Sequence, residues 1–303
     1  MISNQIGMEH YHKKEWASPS AFCTLATCPR KYFYKTGCRL CSQVKPPALL
    51  FGAGIHHGIP HCYRGDIDSA MIDFMKDWGS TPEGPTRSAV RARLMFQSFI
   101  AQHIPGMSVY TLIKPPSTIE IDDRISDNEV PFAIDLGLPV PVVGRLDAVC
   151  QHRDTNDVWG LEYKTSSEMG TRFISAFNMS PQVHTYTLAL RSLGVEARGT
   201  FVEGLLVAKA STNCVCFPIY LNKAVEEGLI KWYQHHYALL KHYEESGNFP
   251  QNFAACNTYS SHGSPGYPCE YESLCSVDDW TTMKDMFFVA DDRPFTIKKS
   301  ETP

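Results

Sequence analysis

Two short apolar segments constrain this chain more than any other feature, because each carries ionisable residues at matching points: Val143-Gly144-Arg145-Leu146-Asp147 and Gly160-Leu161-Glu162-Tyr163-Lys164. Both suit β-strands, and Asp154-Thr155-Asn156-Asp157 between them has the composition of a hairpin turn. Side chains alternate across a strand, so Glu162 and Lys164 share a face. A turn at Thr155-Asn156 sets Asp147 opposite Lys164 and Glu162 opposite Val149. A turn at Asp154-Thr155 sets Asp147 opposite Glu162 instead. In either register the two carboxylates and the ammonium are near cross-strand neighbours. Two hard oxygen ligands beside a lysine suit Mg²⁺ or Mn²⁺ with a cationic helper. Such a site binds a phosphate oxygen, acidifies a bound water and stabilises a leaving oxygen, while the lysine serves the attacking water and screens charge at phosphorus. The same residues also suit a plain Glu–Lys pair on an exposed sheet face, with Asp147 bound to Arg145 or another base; spacing alone leaves both readings open.

The surrounding periodicity describes an α/β chain. Apolar residues repeat at strand period over 117–126, 130–138, 140–150, 157–165, 199–209 and 214–221. Helical patterns occur near Asp68 to Trp78, from Ser88 to Ile104, over 180–193 and over 222–246, where Leu229, Trp232, Tyr233 and Leu240 mark a core-facing stripe. Ser18-Pro19 and Ser180-Pro181 each pair an N-cap with a proline at the first helical position, and Pro29 restarts or kinks the first helix. The expected architecture is a mixed central sheet built on the 117–165 meander and the 199–221 pair. Helices flank it, a helical region precedes it, and a Cys-rich segment follows.

Composition narrows the class. With 43% hydrophobic and 20% charged residues, collagen-like, coiled-coil and largely disordered chains are excluded. No apolar run approaches the roughly 18 residues of a membrane span. The eleven cysteines are an odd number, and no leader pattern opens the chain. Reduced thiols in a cytoplasm are therefore expected, some of them on metal. The net charge of −4 hides a segregation: between Lys13 and Lys45 stand seven basic residues and one acidic. That segment is a solvated face or a phosphate-contacting surface, for which Arg30, Lys31, Lys35 and, beside the hairpin, Arg145 are candidate DNA contacts.

Gly-Arg-x-Asp followed across a hairpin by Glu-x-Lys resembles the core motif of the PD-(D/E)XK nuclease superfamily, with Asp147, Glu162 and Lys164 as its letters. More specifically, the chain resembles the RecB-like branch, which includes CRISPR-adaptation and phage-type exonucleases. Phe51-Gly52-Ala53-Gly54-Ile55-His56 is similar to that branch's upstream GxxxH motif, and Gln182-Val183-His184-Thr185-Tyr186 to its QxxxY motif. Ser18-Pro19-Ser20 through Cys28-Pro29-Arg30-Lys31-Tyr32 is similar to its N-terminal cysteine segment. The resemblance implies a restriction-endonuclease-like core and a metal-dependent DNA nuclease, an exonuclease more than an endonuclease, in recombination, repair or phage DNA processing; the alternatives are a catalytically inactive DNA-binding or scaffold module that keeps the nuclease fold, and a structural zinc or redox cysteine protein. Asp147, Glu162 and His56 would bind Mg²⁺ or Mn²⁺, Lys164 would serve the water, and Gln182 and Tyr186, one turn apart on a helix, would position phosphate or the lysine. Gly58 and Pro60 argue against a regular helix directly after His56, which leaves the choice between His56 and His57 open.

The same resemblance implies that Cys28, Cys256, Cys269 and Cys275 hold a [4Fe–4S] cluster, with zinc as the alternative four-thiolate occupant, although the gap from Cys256 to Cys269 is wider than the usual CxxC. Cys38-Arg39-Leu40-Cys41 lacks the strand–CxxC–helix context of a redox pair, and Cys23, Cys62, Cys150, Cys214 and Cys216 read as small apolar residues. The segmentation that follows is a tail over 1–17, a nuclease domain over 18–275 and a tail over 276–303. Within the domain, 18–104 is the helical part, 105–250 the catalytic α/β core and 251–275 the Cys-rich segment. DNA is the expected partner, with a helicase, an annealing protein or another recombination protein as further candidates.

Overall fold

The computed structural model describes residues 7–115, 117, 119–121, 129–209, 211–256, 269–290 and 297–299. The chain divides into two compact units, one of Met1–Val44, Asp135–Val143 and Ile230–Pro294, the other of Lys45–Ile134, Gly144–Leu229 and Phe295–Pro303.

The second unit carries the hairpin. Its main elements are α1 (Pro47–Cys62), α2 (Ile67–Trp78), α3 (Ala89–Ser98), β1 (Tyr110–Ile113), β2 (Val130–Ile134), β3 (Val142–Leu146, which enters this unit at Gly144), β4 (Ala148–His152), β5 (Val158–Ser166), α4 (Pro181–Ser192), β6 (Ala197–Leu206) and β7 (Cys214–Tyr220). Five strands form the central sheet in the order β1-β4-β5-β6-β7. All neighbours are antiparallel except β5 and β6, which run parallel and are joined through α4. A parallel pair needs such a crossover, and it leaves the sheet mixed with helices on both faces, a restriction-endonuclease-like α/β fold.

Period-two alternation explains the two faces. Trp159, Leu161, Tyr163, Phe201 and Leu205 point one way and pack with Phe51, Ile55 and Ile59 of α1, Phe74 and Trp78 of α2, and Met95 and Phe96 of α3. On the other face Val183 of α4 packs with Val202 and Ile219, and Thr187 Oγ1 meets Thr200 Oγ1 at 3.1 Å.

Several expectations change here. The strand expected over 140–150 breaks at Asp147, where the chain leaves the two-stranded β2-β3 sheet and enters the central sheet as β4. The strand expected over 130–138 ends at Ile134, because Asp135 Oδ1 accepts from Gly137 N at 2.8 Å and Gly137 adopts a φ of 72°. The outer place beside β4 belongs to β1, which lies in the Pro-rich stretch that the periodicity passed over. Of the 117–126 strand, Ile119–Ile121 is present and pairs with Ile297–Lys299; residues 118 and 122–126 lie outside the described residues.

The irregular backbone expected after His56 is also absent, since α1 runs unbroken through Pro60 to Cys62. Pro60 falls in the last turn, where only one intrahelical bond is lost. The glycines serve packing instead. A Cβ on Gly54 would stand 2.9 Å from the Phe74 carbonyl oxygen, and one on Gly58 would stand 3.0 Å from that of Ala70 and 2.2 Å from Phe96 Cζ.

In the first unit, Ser18 caps the helix Pro19–Thr27 by accepting from Ala21 N at 3.3 Å, and extended Cys28 closes that helix and opens the turn Pro29–Tyr32, as Pro29 suggested. Phe22 packs on Trp232 and Tyr233 of the helix Lys223–Ser246. Leu40–Ser42 pairs antiparallel with Phe288–Ala290, and Tyr34, Tyr271 and Trp280 cluster beside them. Among the described residues, no helix is long and apolar enough to cross a membrane.

Candidate active site

The hairpin register decides what meets what. Ala148 pairs with Leu161 and Gln151 with Val158, which is the register of a turn centred on Asp154-Thr155 and sets Asp147 across from Glu162. His152 Nδ1 accepts from the backbone N–H groups of Asp154 and Thr155 at 3.2 and 3.3 Å, and Asn156 takes a left-handed φ of 61°, which asparagine tolerates. Asp147 lies in the strand break, so its carboxylate, not a backbone carbonyl, accepts from Tyr163 N, at 2.8 Å from Oδ2. One side chain thus completes the ladder and stands beside the acidic strand.

From β5, Glu162 and Lys164 point to the α4 side. The Lys164 ammonium pairs with Glu162 Oε1. From α4, Gln182 Nε2 donates to the Tyr186 hydroxyl at 2.6 Å, and that hydroxyl faces the Glu162 carboxylate. From α1, His56 sets its Nδ1 3.6 Å from Asp147 Oδ2. His57 points elsewhere and pairs with Asp77, 2.6 Å between Nδ1 and Oδ2. The structure therefore brings together Asp147, Glu162, Lys164, Gln182, Tyr186 and His56, and separates His56 from His57.

Electrostatics follow from the crowding. Burial pushes the Glu162 carboxyl up to about 7, assisted by the Asp147 charge and opposed by Lys164. Burial lifts Asp147 to about 6, against the pull of the Tyr163 N–H. Burial alone would lower Lys164, but the charges of Glu162 and Asp147 outweigh it and hold the ammonium above its ordinary range. Burial depresses His56, leaving a neutral imidazole, the form that ligates metals. Both Glu162 oxygens are sealed from solvent, and neither accepts a hydrogen bond of regular geometry. Lys164 is the positive charge that faces this carboxylate, and two carboxylates with a neutral imidazole are a donor set that suits a divalent cation. The residues present are of the right types for such an ion.

A cavity of about 650 Å³ lies beside His56 and His57 and is also lined by Arg87, Glu129, Thr165 and Ser166. Arg87, Glu129, Thr165 and Ser166 belong to none of the sequence motifs. The hydroxyl run that directly follows Lys164, Thr165-Ser166-Ser167, was the available signal.

The other candidates are placed differently. Arg30 Nε donates to the Phe249 carbonyl at 2.7 Å, Lys31 pairs with Glu270 at 3.2 Å, Lys35 is exposed, and Arg145 lies 3.6 Å from Glu129. Cys28, Cys256, Cys269 and Cys275 lie in the first unit as neighbours, close enough for charge on one to act on another.

The fold and site define an α/β protein whose mixed central sheet carries Glu162 and Lys164 on β5, with Asp147 at the strand break that leads into β4. The sequence profile of the PD-(D/E)XK nuclease superfamily matches residues 17–276, and the chain belongs to that superfamily. Among solved structures, a candidate exonuclease from Eubacterium rectale shares 12% identity at a TM-score of 0.48, covering 91% of this chain and 98% of its own. SSO0001 shares 12% identity at a TM-score of 0.29, over 61% of this chain and 74% of its own. No curated protein matches the chain.

Proposed function

We propose that the chain is a Mg²⁺- or Mn²⁺-dependent deoxyribonuclease of the RecB-like branch, an exonuclease acting in DNA recombination, repair or phage DNA processing. The observation that carries this reading is the fully buried Glu162 carboxylate, set beside Asp147, His56 and Lys164. Asp147, Glu162 and His56 would hold the cation, which when bound supplies an acidified water and neutralises phosphate charge. Lys164 stays protonated beside the two carboxylates and can donate to the attacking water and to the pentavalent phosphorus centre's equatorial oxygen. Gln182 fixes the Tyr186 hydroxyl, and the pair holds the acidic face of β5 in position. Tyr163 N, through its bond to Asp147, fixes the direction of that carboxylate. Cys28, Cys256, Cys269 and Cys275 would hold a [4Fe–4S] cluster that staples the first unit; their donor set also accepts zinc.

The test is digestion of linear duplex and single-stranded DNA with Mg²⁺ or Mn²⁺. Lys164→Ala and Asp147→Ala are expected to lower the rate by about 10²–10⁴-fold. Undiminished cleavage by either variant would overturn the assignment. Metal content of anaerobically purified protein separates iron–sulfur from zinc at the cysteine set.

A further inference from the structure

The second unit holds another cluster of ligating groups, on the opposite face of the sheet from Glu162. Register places Glu203 of β6 directly across from Cys216 of β7, so both side chains leave the sheet on one face. Over them lies the π-helical turn Phe99–His103 that ends α3. The ligand atoms of His103, Glu203 and Cys216 all lie within 4.8 Å of one another. Among the described residues, no other three His, Cys, Asp or Glu side chains meet so closely.

Burying this group in an apolar core needs a reason. Glu203 is 1% exposed and His103 is 8% exposed, and they sit among residues such as Phe99, Phe201 and Leu205. His103 Nε2 stands 3.0 Å from Glu203 Oε1 in a buried ion pair outside regular hydrogen-bond geometry, so the ring nitrogen is aimed into the cluster. The Glu203 carboxylate is oriented from behind by Tyr63, whose hydroxyl donates to both oxygens at 3.0 Å. Such a hydroxyl is the kind of outer partner that fixes a ligating carboxylate. Cys216 is exposed, giving the cluster an entry from solvent.

We propose that His103, Glu203 and Cys216 form a second metal site, distinct from the Asp147–Glu162 site, that binds a borderline-soft divalent cation of the zinc class. Imidazole, carboxylate and thiolate are its usual ligands, at about 2.0–2.3 Å, which in a tetrahedron sets ligand atoms about 3.3–3.8 Å apart. The observed cluster needs only small side-chain movements to reach that spacing. Mixed soft and nitrogen donors select against Mg²⁺, so the two sites would take different ions from the same pool. Three protein ligands leave a fourth position for solvent on the exposed side. The ion would tie the π-helical turn to β6 and β7 and lock one end of the sheet against the helical layer.

The test compares the full-length wild type with Cys216→Ser, Cys216→Ala and Tyr63→Phe after loading with zinc and removing the excess. Both Cys216 variants are expected to hold one zinc fewer per chain and to lose the zinc-dependent rise in melting temperature. Tyr63→Phe should weaken that zinc by about 10–100-fold. With Co²⁺ as the probe, wild type minus Cys216→Ser should give a thiolate-to-metal charge-transfer band of single-thiolate intensity. Because Cys216 is exposed, its variants should fold and keep their Mg²⁺-dependent nuclease rate. Equal zinc content in wild type and Cys216→Ser, or no difference band with Co²⁺, would overturn the proposal.

Discussion

Consider Glu162→Gln, which removes one charge from the candidate metal site and keeps its shape. In the folded protein the Glu162 carboxyl titrates near 7, against an ordinary value of 4.5. Its folded-state pKa is raised, so the native state binds the extra proton between those values. Wild-type stability therefore falls as pH rises from about 4.5 to about 7 and stays reduced above that. The cost at pH 8 is roughly 2–4 kcal/mol, from about 1.4 kcal/mol per pKa unit. Glutamine mimics the protonated acid and escapes that cost. Urea denaturation in EDTA should show Glu162→Gln more stable than wild type by that amount at pH 8. The two should converge near the pH where Glu162 is protonated in both folded and unfolded chains. Adding Mg²⁺ or Mn²⁺ should reverse the ranking, because a cation that binds only the folded wild type stabilises it by mass action. The variant should meanwhile lose nuclease activity. Equal stability at pH 8 without metal, or a destabilised variant, would refute the claim that burial holds this carboxyl above its ordinary range.

Three further outcomes follow from the geometry. His56→Ala should weaken Mn²⁺ binding measured by calorimetry, whereas His57→Ala, whose ring is occupied by Asp77, should leave it unchanged. Gly58→Ala should cost about 1–3 kcal/mol in thermal or urea unfolding, because its methyl group would collide with Phe96 and approach the Ala70 carbonyl. Ser18→Ala should cost about 1 kcal/mol through the lost cap on the helix Pro19–Thr27.

The sequence carried the site further than the sheet around it. Glu162 and Lys164 on one face, and Gln182 and Tyr186 one turn apart, follow from periods that no tertiary context alters. The hairpin register was one of two alternatives, and in the observed one the His152 side chain caps the turn, a contact outside local pattern rules. The break at Asp147 was hidden because the residue sits inside an apolar run; what breaks the strand is a change of pairing partner. Gly58 and Pro60 suggest a helix breaker only when helix neighbours are ignored. Against Phe96 and Ala70 the glycine is a contact surface. The His103, Glu203 and Cys216 cluster was illegible for a related reason. Its members are distant in sequence, and a cysteine within an apolar strand reads as a small hydrophobe until register sets a glutamate beside it.

The two glycines on the back of α1 have a consequence for its front. Successive residues turn about 100° around a helix axis, so Gly54 and Gly58 lie on one side and His56, two residues from each, lies nearly opposite. Seating the glycines against Phe74, Ala70 and Phe96 fixes the rotational phase of the helix, and that phase aims His56 at Asp147 while sending His57 to Asp77. The helix behaves as a keyed shaft. Wear on the key, far from any phosphate, would turn the wrong imidazole toward the acid, so selection for nuclease activity would act on packing positions that never touch the substrate.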